Sequence, residues 1–345
     1  MYDYAEFAEK FFHVKSKIFF ANDSLRLQPK PLKHFMDRFP VIIYPMEDPS
    51  SKPVGGRYML KALLEEKCDF FYVIKAGSEA SQPSLENLAP EVVPMGVHAV
   101  FDWQPHLSSF AAISPEVIPS RVNESMIVPH IVRPVEDWAK YLQLPDLRQS
   151  LNISRSSLVV CRHGGFKTFD VHFVQTLVLD LLASPDHPDL HFLFVNTKPL
   201  PATHRSGSRG IDAHRLHQLP MIVGLQEKER YFRTCNLMLH AREKGETFGL
   251  SVAEMSVHNI PVLTYPGQAR EHVRILGTKG FVYQSPETLR RLLQTFYDER
   301  ERWIGLAAKG PPVPGSADDF NAYRDYEPEK VMRLFKTFFL DPIFH

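Results

Sequence analysis

The sequence predicts an α/β protein in which a parallel-sheet pattern is laid down twice. Three observations predict it. Short apolar strands alternate with helical stretches, the alternation restarts after Asn152, and 345 residues are enough for two domains of ordinary size.

In the first half, residues 17–20, 41–44, 70–74, 99–101 and 111–114 read as strands, with a helical pattern over 58–67 between two of them. A polar stretch at 141–150, containing Pro145, marks the boundary. Beyond it, residues 158–161, 191–196, 221–223, 237–240 and 261–264 form a second set of strands, with helices over 169–182, 227–234 and 250–258. Residues 199–220, rich in Pro, Gly, Ser and His, read as a long loop. PPVPG at 311–315 breaks the helical pattern. The tail helix at 327–339 then gathers Val331, Leu334, Phe335 and Phe338 on one face, which needs an apolar partner. The expected organisation is therefore an N-terminal Rossmann-like domain (1–148), a C-terminal Rossmann-like domain (149–315) facing it, and a tail (316–345) whose helix packs back on the first domain.

Composition narrows the function. Lys+Arg and Asp+Glu number 40 each, so no net charge favours nucleic acid or an anionic membrane as partner. No apolar run approaches the ~18 residues that span a bilayer, and the acidic, aromatic N-terminus does not read as a signal peptide. Cys68, Cys161 and Cys235 are widely spaced, which argues against a zinc site or disulfide framework and for a reducing, cytoplasmic setting. A peripheral membrane contact stays open. The pairs His187/His191 and His214/His217 lie near Pro, Gly or Ser without a Cys or carboxylate motif, and read as solvated loop histidines.

The chemistry concentrates in residues 245–264, GETFGLSVAEMSVHNIPVLT, where Glu246 and Glu254 stand eight apart. A helix opening at Thr247 or Phe248 leaves Glu246 just ahead of it and Glu254 about two turns in. Gly249 allows close approach of backbone to a ligand. The first turn offers unpaired N–H groups and the positive end of the helix dipole, which suit a diphosphate. A carboxylate on one side can accept from ribose hydroxyls, and one on the other can hold a sugar. The E-x7-E spacing by itself, common by chance, favours a surface helix with two unrelated glutamates. The flanking Glu-x-Phe-Gly-Leu and Pro-Val-Leu-Thr favour the site. A second segment, LVVCRHGGFK at 158–167, runs a strand into Gly164-Gly165 with Arg162 and Lys167 on either side. Two cations there can neutralise a diphosphate leaving group, or form an ordinary surface pair. His163 reads equally as a packed turn residue.

At these residues the sequence resembles the GT-B glycosyltransferases, and in particular the retaining family 4. That family builds its donor site from a strand, Glu-Gly-Phe-Gly-Leu, a helix bearing a second Glu, and a Gly-x-Pro-Val turn. Here Thr247 replaces the first glycine of that phrase, and Asn259-Ile260-Pro261 replaces the turn. The resemblance implies that Glu254 binds the donor ribose and that Glu246 lies near the transferred sugar. It implies that backbone N–H groups of Phe248, Gly249 and Leu250 meet the phosphates, helped by Arg162 and Lys167. It places Gly224 and Leu225, in VGLQEKERYFRTCNLMLH, beside the base, with Tyr231 as helix packing. It also matches His98, in GVHAVF, to a histidine facing the sugar from the first domain, although a lone His at a strand end is usually structural. YDYAEFAE, RHGGFKTFD, NTKP and HAREKGETFGL resemble strings in a poorly characterised microbial and large-DNA-virus branch. The family begins with a strand and a Gly-rich loop facing the acceptor, whereas this chain opens Met1-Tyr2-Asp3-Tyr4 and has its first Gly-Gly at Gly55-Gly56.

The sequence contains no Asp-x-Asp, the pair with which metal-dependent transferases commonly hold their donor. The implied activity is metal-independent, cofactor-free and retaining. The donor is a nucleotide-sugar, and the acceptor is a hydroxyl on an unidentified glycan, lipid or protein. Two rivals remain open: a nucleotide-sugar epimerase or hydrolase on the same fold, and a non-catalytic nucleotide-sugar-binding or partner protein. A dinucleotide-binding enzyme is disfavoured, because no G-x-G-x-x-G follows a strand.

Overall fold

A computed structural model describes residues 1–21, 29–45, 55–75, 93–102, 109–118, 126–200 and 213–344. The chain forms two compact units, residues 1–131 with 326–345, and residues 132–325.

The first unit runs α1 (Tyr2–Phe12), β1 (Ile18–Ala21), α2 (Pro29–Met36), β2 (Val41–Tyr44), α3 (Gly55–Glu65), β3 (Phe71–Lys75), β4 (Met95–Ala99) and β5 (Ser109–Ala112). β1 pairs with β2, and β3, β4 and β5 form a second sheet, all in parallel. β4 is buried along its whole length, as a strand covered on both faces must be. The sequence pattern placed this strand at 99–101, past its true end, because Gly96 and His98 interrupt the apolar run. Gly96 is there for space: a Cβ would stand 2.6 Å from Phe70 Cζ and 2.7 Å from Phe339 Cδ1. Phe339 comes from the tail. The helix Pro328–Phe335 and the π-helical stretch Lys336–Leu340 that continues it bury Val331, Met332, Phe335 and Phe339 against Tyr4, Phe7 and Ala111 of this unit. That packing gives the amphipathic tail its apolar partner.

The second unit opens with α4 (Trp138–Gln143), whose N-cap Asp137 accepts from the Lys140 N–H. Hydrogen bonds tie the segment after α4 to the second unit. The Leu147 N–H donates to Thr234 Oγ1 at 2.9 Å, and Arg148 donates to Asn236 Oδ1 and to the Ser154, Ser157 and Thr234 carbonyls. After it come β6 (Leu158–Arg162), α5 (His172–Ala183), β7 (Leu190–Val195), β8 (Leu216–Leu219), α6 (Leu225–Thr234), β9 (Leu237–His240), β10 (Gly245–Glu246), α7 (Leu250–Val257), β11 (Val262–Thr264), β12 (Ala269–Arg270), α8 (Glu271–Leu276), β13 (Gly280–Val282), α9 (Pro286–Asp298) and α10 (Arg300–Leu306). One parallel six-stranded sheet, in the order β13-β11-β9-β6-β7-β8, carries the unit. Its buried strands pack against α5, α9 and α10 in one core that includes Leu177, Phe192, Phe194, Leu293 and Trp303.

Two sequence readings need correction here. β8 falls inside the stretch read as a loop, and Met221–Val223 is not a strand. β8 is an edge strand, half-covered, and its Leu-His-Gln-Leu pattern carries less apolar signal than Met-Ile-Val. Residues 201–212 of the same stretch lie outside the described residues. The cysteines are not all unpaired: Cys161 and Cys235 form a disulfide. Their 74-residue separation hides the fact that β6 and β9 are neighbours in the sheet, which brings the two Cα atoms to 5.6 Å. Among the described residues Cys68 is free.

Candidate functional site

The carboxyl ends of β6 and β9 and the start of α7 meet in the second unit. α7 begins abruptly. Gly249 is its N-cap, with φ +84° and no side-chain cap, so the first-turn N–H groups are left to other partners. A Cβ on Gly249 would stand 3.0 Å from His272 Cβ and 3.4 Å from Glu246 Cβ. Gly245, at φ +64°, is more tightly held: its Cβ would stand 1.9 Å from the Ala269 carbonyl oxygen. That close approach is what lets β10 pair with β12, Gly245 against Ala269. Phe248 is buried and its carbonyl accepts from Tyr323 Oη at 2.8 Å, while Leu250 stays exposed.

The turn after β6 reaches this helix start. A Cβ built on Gly164 (φ +144°) would lie 3.4 Å from Arg162 Nη2 and 3.6 Å from Ser251 Oγ, in the first turn of α7. The guanidinium, the glycine turn and the helix start therefore line one point. Arg162 is buried and engaged from within. Nη1 donates to Thr197 Oγ1 (2.7 Å) and the Asn196 carbonyl (3.0 Å), and Nη2 to Thr168 Oγ1 and the Gly165 carbonyl (both 2.7 Å). Burial brings its pKa down to about 10, against the opposing pull of Tyr231, Glu246 and Asp170. Arg162 thus gives the Gly164-Gly165 turn its shape as well as its field. Lys167 is exposed on the same loop, with no hydrogen-bonding partner among the described residues.

Both glutamates are held as anions. Glu254 accepts from Lys228 Nζ at 2.6 Å and from His163 Nε2 at 2.8 Å. Burial alone would raise its pKa, but Lys228 and His163 outweigh it and hold the carboxyl well below the usual range. Glu246 accepts from Arg242 Nη1 at 2.6 Å and from His240 Nε2 at 3.3 Å. Burial again opposes ionisation and His240 and Arg242 prevail, so its pKa is lowered. His272 stacks edge-on against His240 with ring centroids 4.9 Å apart, and burial lowers its pKa to about 4. His163 is likewise kept neutral by burial, so the proton on Nε2 points at Glu254. Among the described residues, its Nδ1 and the nearby Tyr231 Oη are buried without a hydrogen-bond partner.

Gly224 and Leu225 form the N-cap and first residue of α6, with Leu225 exposed and Lys228 one turn on. The structure thus brings Arg162, Gly164, Gly165, Glu246, Gly249, Leu250 and Glu254 to one end of one sheet, with Lys167 on the rim. His98 is placed differently. It lies in the first unit, wholly buried, between Tyr4 and Phe339. Its Nε2 donates to the Val128 carbonyl at 2.5 Å, which leaves Nδ1 to accept from Tyr72 Oη at 2.6 Å. Burial drops its pKa to about 3. With both nitrogens used and no exposed surface, His98 is a core residue as placed, not a side chain presented to a ligand. Sequence reasoning missed Lys228, Arg242, His240 and His272. Lys228 lies in the charge-rich run LQEKERYFR and reads as any solvated lysine. The one available signal was that a half-buried Glu254 must find a cation.

No family model and no curated protein matches the sequence. Solved structures do resemble it. The Anabaena HepE protein in complex with UDP-glucose superimposes with a TM-score of 0.62 at 14% identity, covering 93% of this chain and 98% of HepE. A glycosyltransferase from Rickettsia africae gives a TM-score of 0.64 at 11% identity, covering 99% and 94%. WaaG, a glycosyltransferase involved in lipopolysaccharide biosynthesis, gives 0.58 at 14% identity, covering 98% and 94%. Among the described residues, no helix is long and apolar enough to cross a membrane. With its two parallel α/β units and these neighbours, the chain has the GT-B glycosyltransferase fold.

Proposed function

We propose that this protein transfers a sugar from a nucleotide-diphosphate sugar to an acceptor hydroxyl, with retention and without a metal. The observation that carries the reading is the shared point between the uncapped start of α7, the Gly164-Gly165 turn and the Arg162 guanidinium. A diphosphate there receives helix N–H groups and the positive dipole end. Glu254, two turns into α7 and held ionised, accepts from the donor ribose, with Lys228 swinging aside as the hydroxyls arrive. Glu246 lies on the other side, before the helix, and its negative charge suits an anomeric carbon that turns positive as the bond to phosphate breaks. The leaving phosphate takes the acceptor proton, and Lys167 adds charge at the rim. HepE has been captured with UDP-glucose, and with UDP and glucose, which supports a nucleotide-sugar as the ligand class.

A second reading, a nucleotide-sugar-binding protein without turnover, is favoured by one observation. The Arg162 guanidinium is spent on its own loop and the turn after β7, and His98 on its own core, so one expected donor-binding and one expected catalytic contact are otherwise engaged. A nucleotide-sugar panel read by thermal shift tests the binding claim, since a ligand that binds only the folded state raises its apparent stability. UDP-glucose or a congener is expected to raise the Tm of the wild type and not of Gly249→Val, whose side chain blocks the helix start. No stabilisation by any nucleotide-sugar removes both readings. Stabilisation without sugar release or transfer to any acceptor leaves the second.

A further inference from the structure

At the opposite end of β6 from the glycine turn, the second unit holds a cavity of about 580 Å³, lined by the α4–β6 connection and the last turn of α6. Its volume lies within the ~300–1,000 Å³ of small-molecule sites. Its charge is one-sided. Arg148, Arg155 and Arg233 line it, with Asp146 as the one acidic side chain among the described residues. Arg148 is buried, and its guanidinium bonds reach only neutral oxygens, of Ser154, Ser157, Thr234 and Asn236. Arg233 also spends its terminal nitrogens on carbonyls, those of Ala307 and Leu142, and its Nε is buried with no partner among the described residues. Arg155 is exposed, with no hydrogen-bonding partner among the described residues, and lies close enough to Arg148 to depress its pKa, after burial and against Asp146. Carbonyl partners hold a guanidinium in place but leave its charge uncompensated, so three cations face one carboxylate. Gln143 and Gln149 add amide donors to the wall.

We propose that this cavity is a binding site for a small molecule carrying a phosphate group, separate from the donor site. A dianionic phosphate supplies the counter-charge that Arg148, Arg155 and Arg233 lack, and a guanidinium fork suits its oxygens. α6 connects the two places: its last turn carries Arg233 to the cavity, and its earlier turns carry Lys228 to Glu254. An anion bound at one end is therefore attached to the helix that positions the other.

The test is a titration of the full chain with inorganic phosphate, followed by NMR of the arginine side-chain Nε–H groups. Arg233 Nε–H is expected to shift saturably, and Arg155→Glu, which removes no described bond, to abolish that shift. Arg155→Lys should retain most of it. Arg162 Nε–H reports the donor loop independently, so failure of one site is read separately from failure of the other. An Arg233 signal that does not move, or that drifts without saturation and equally in Arg155→Glu, overturns the proposal.

Discussion

His98 and Glu254 are both fully hydrogen-bonded polar groups near the carboxyl ends of parallel strands, yet they are held in opposite ways. His98 is shut in by neutral partners, a phenol and a carbonyl, inside an aromatic cluster with no exposed surface. Glu254, whose side chain is 29% exposed, is held by a lysine 31% exposed and by a neutral histidine. A neutral, fully enclosed hydrogen-bond pair has no exchange partner in solvent, so it fixes the fold. An ion pair with one solvent-reaching member can be opened by a ligand that offers hydroxyls in place of the ammonium. Burial and the kind of partner together therefore separate a core residue from a binding residue here.

The largest effect that would break this comparison is at His98. His98→Ala removes a buried ring and strands the Tyr72 hydroxyl and Val128 carbonyl, so it should cost about 3–5 kcal/mol of first-unit stability. Hydrogen exchange of β4 amides measures it, and donor binding to the second unit should be unaffected in the fraction that stays folded. If His98→Ala leaves β4 protection intact and instead lowers donor affinity, His98 is a ligand-facing group and the contrast fails. Glu254→Gln comes next. It keeps the shape but loses the charge that Lys228 pairs with, and should weaken nucleotide-sugar binding by about 2–3 kcal/mol, roughly 30- to 150-fold. Calorimetric titration is the measurement, and unchanged affinity would remove Glu254 from the site.

pH separates the two regions more finely. The folded-state pKa of His98 is about 3, below the ~6.5 of an unfolded histidine. The unfolded chain therefore binds more protons between these values, and first-unit stability must fall as pH falls from ~6.5. His98 alone contributes a slope of about 1.4 kcal/mol per pH unit. Glu254 is also depressed, so its contribution is present above the ordinary glutamate pKa of ~4.3 and is lost only below it. Between pH ~6.5 and ~4.5, β4 protection in the wild type should fall more steeply than in His98→Gln. Equal slopes would mean that the ring is not held neutral.

Much of this site is legible in the sequence alone, for a physical reason. β6, β9 and β11 are buried on both faces, so each reads as an unbroken apolar run, and the turns after them stand out as Gly-rich and charged. The helix phrase Glu-x-Phe-Gly-Leu is likewise local, because the glycine N-cap and the carboxylates flanking it are neighbours in sequence. What is not legible depends on pairing at a distance. β8 is an edge strand with half its pattern in solvent. Cys161 and Cys235 meet only because the sheet order puts β6 beside β9. His98 looks the same in sequence whether it faces a sugar or Tyr72. Lys228 meets Glu254 only through the packing of α6 beside α7.

The smallest expected effect is also the one that distinguishes field from contact. Lys167 is exposed, so any attraction it exerts on a diphosphate at the start of α7 acts through solvent and is screened. Lys167→Met should therefore weaken donor binding by no more than about 1 kcal/mol at low ionic strength, and by almost nothing at high salt. Glu254 acts by direct, half-buried hydrogen bonding, so the loss in Glu254→Gln should persist better across the same salt range. Measuring both variants at two ionic strengths turns the contrast between a free exposed charge and a hydrogen-bonded, half-buried one into a single number for each. If the Lys167→Met loss exceeds that of Glu254→Gln and survives high salt, the exposed loop makes direct contact with the donor. The ion pair at Glu254 would then be structural, and the roles assigned to the rim and the interior would be exchanged.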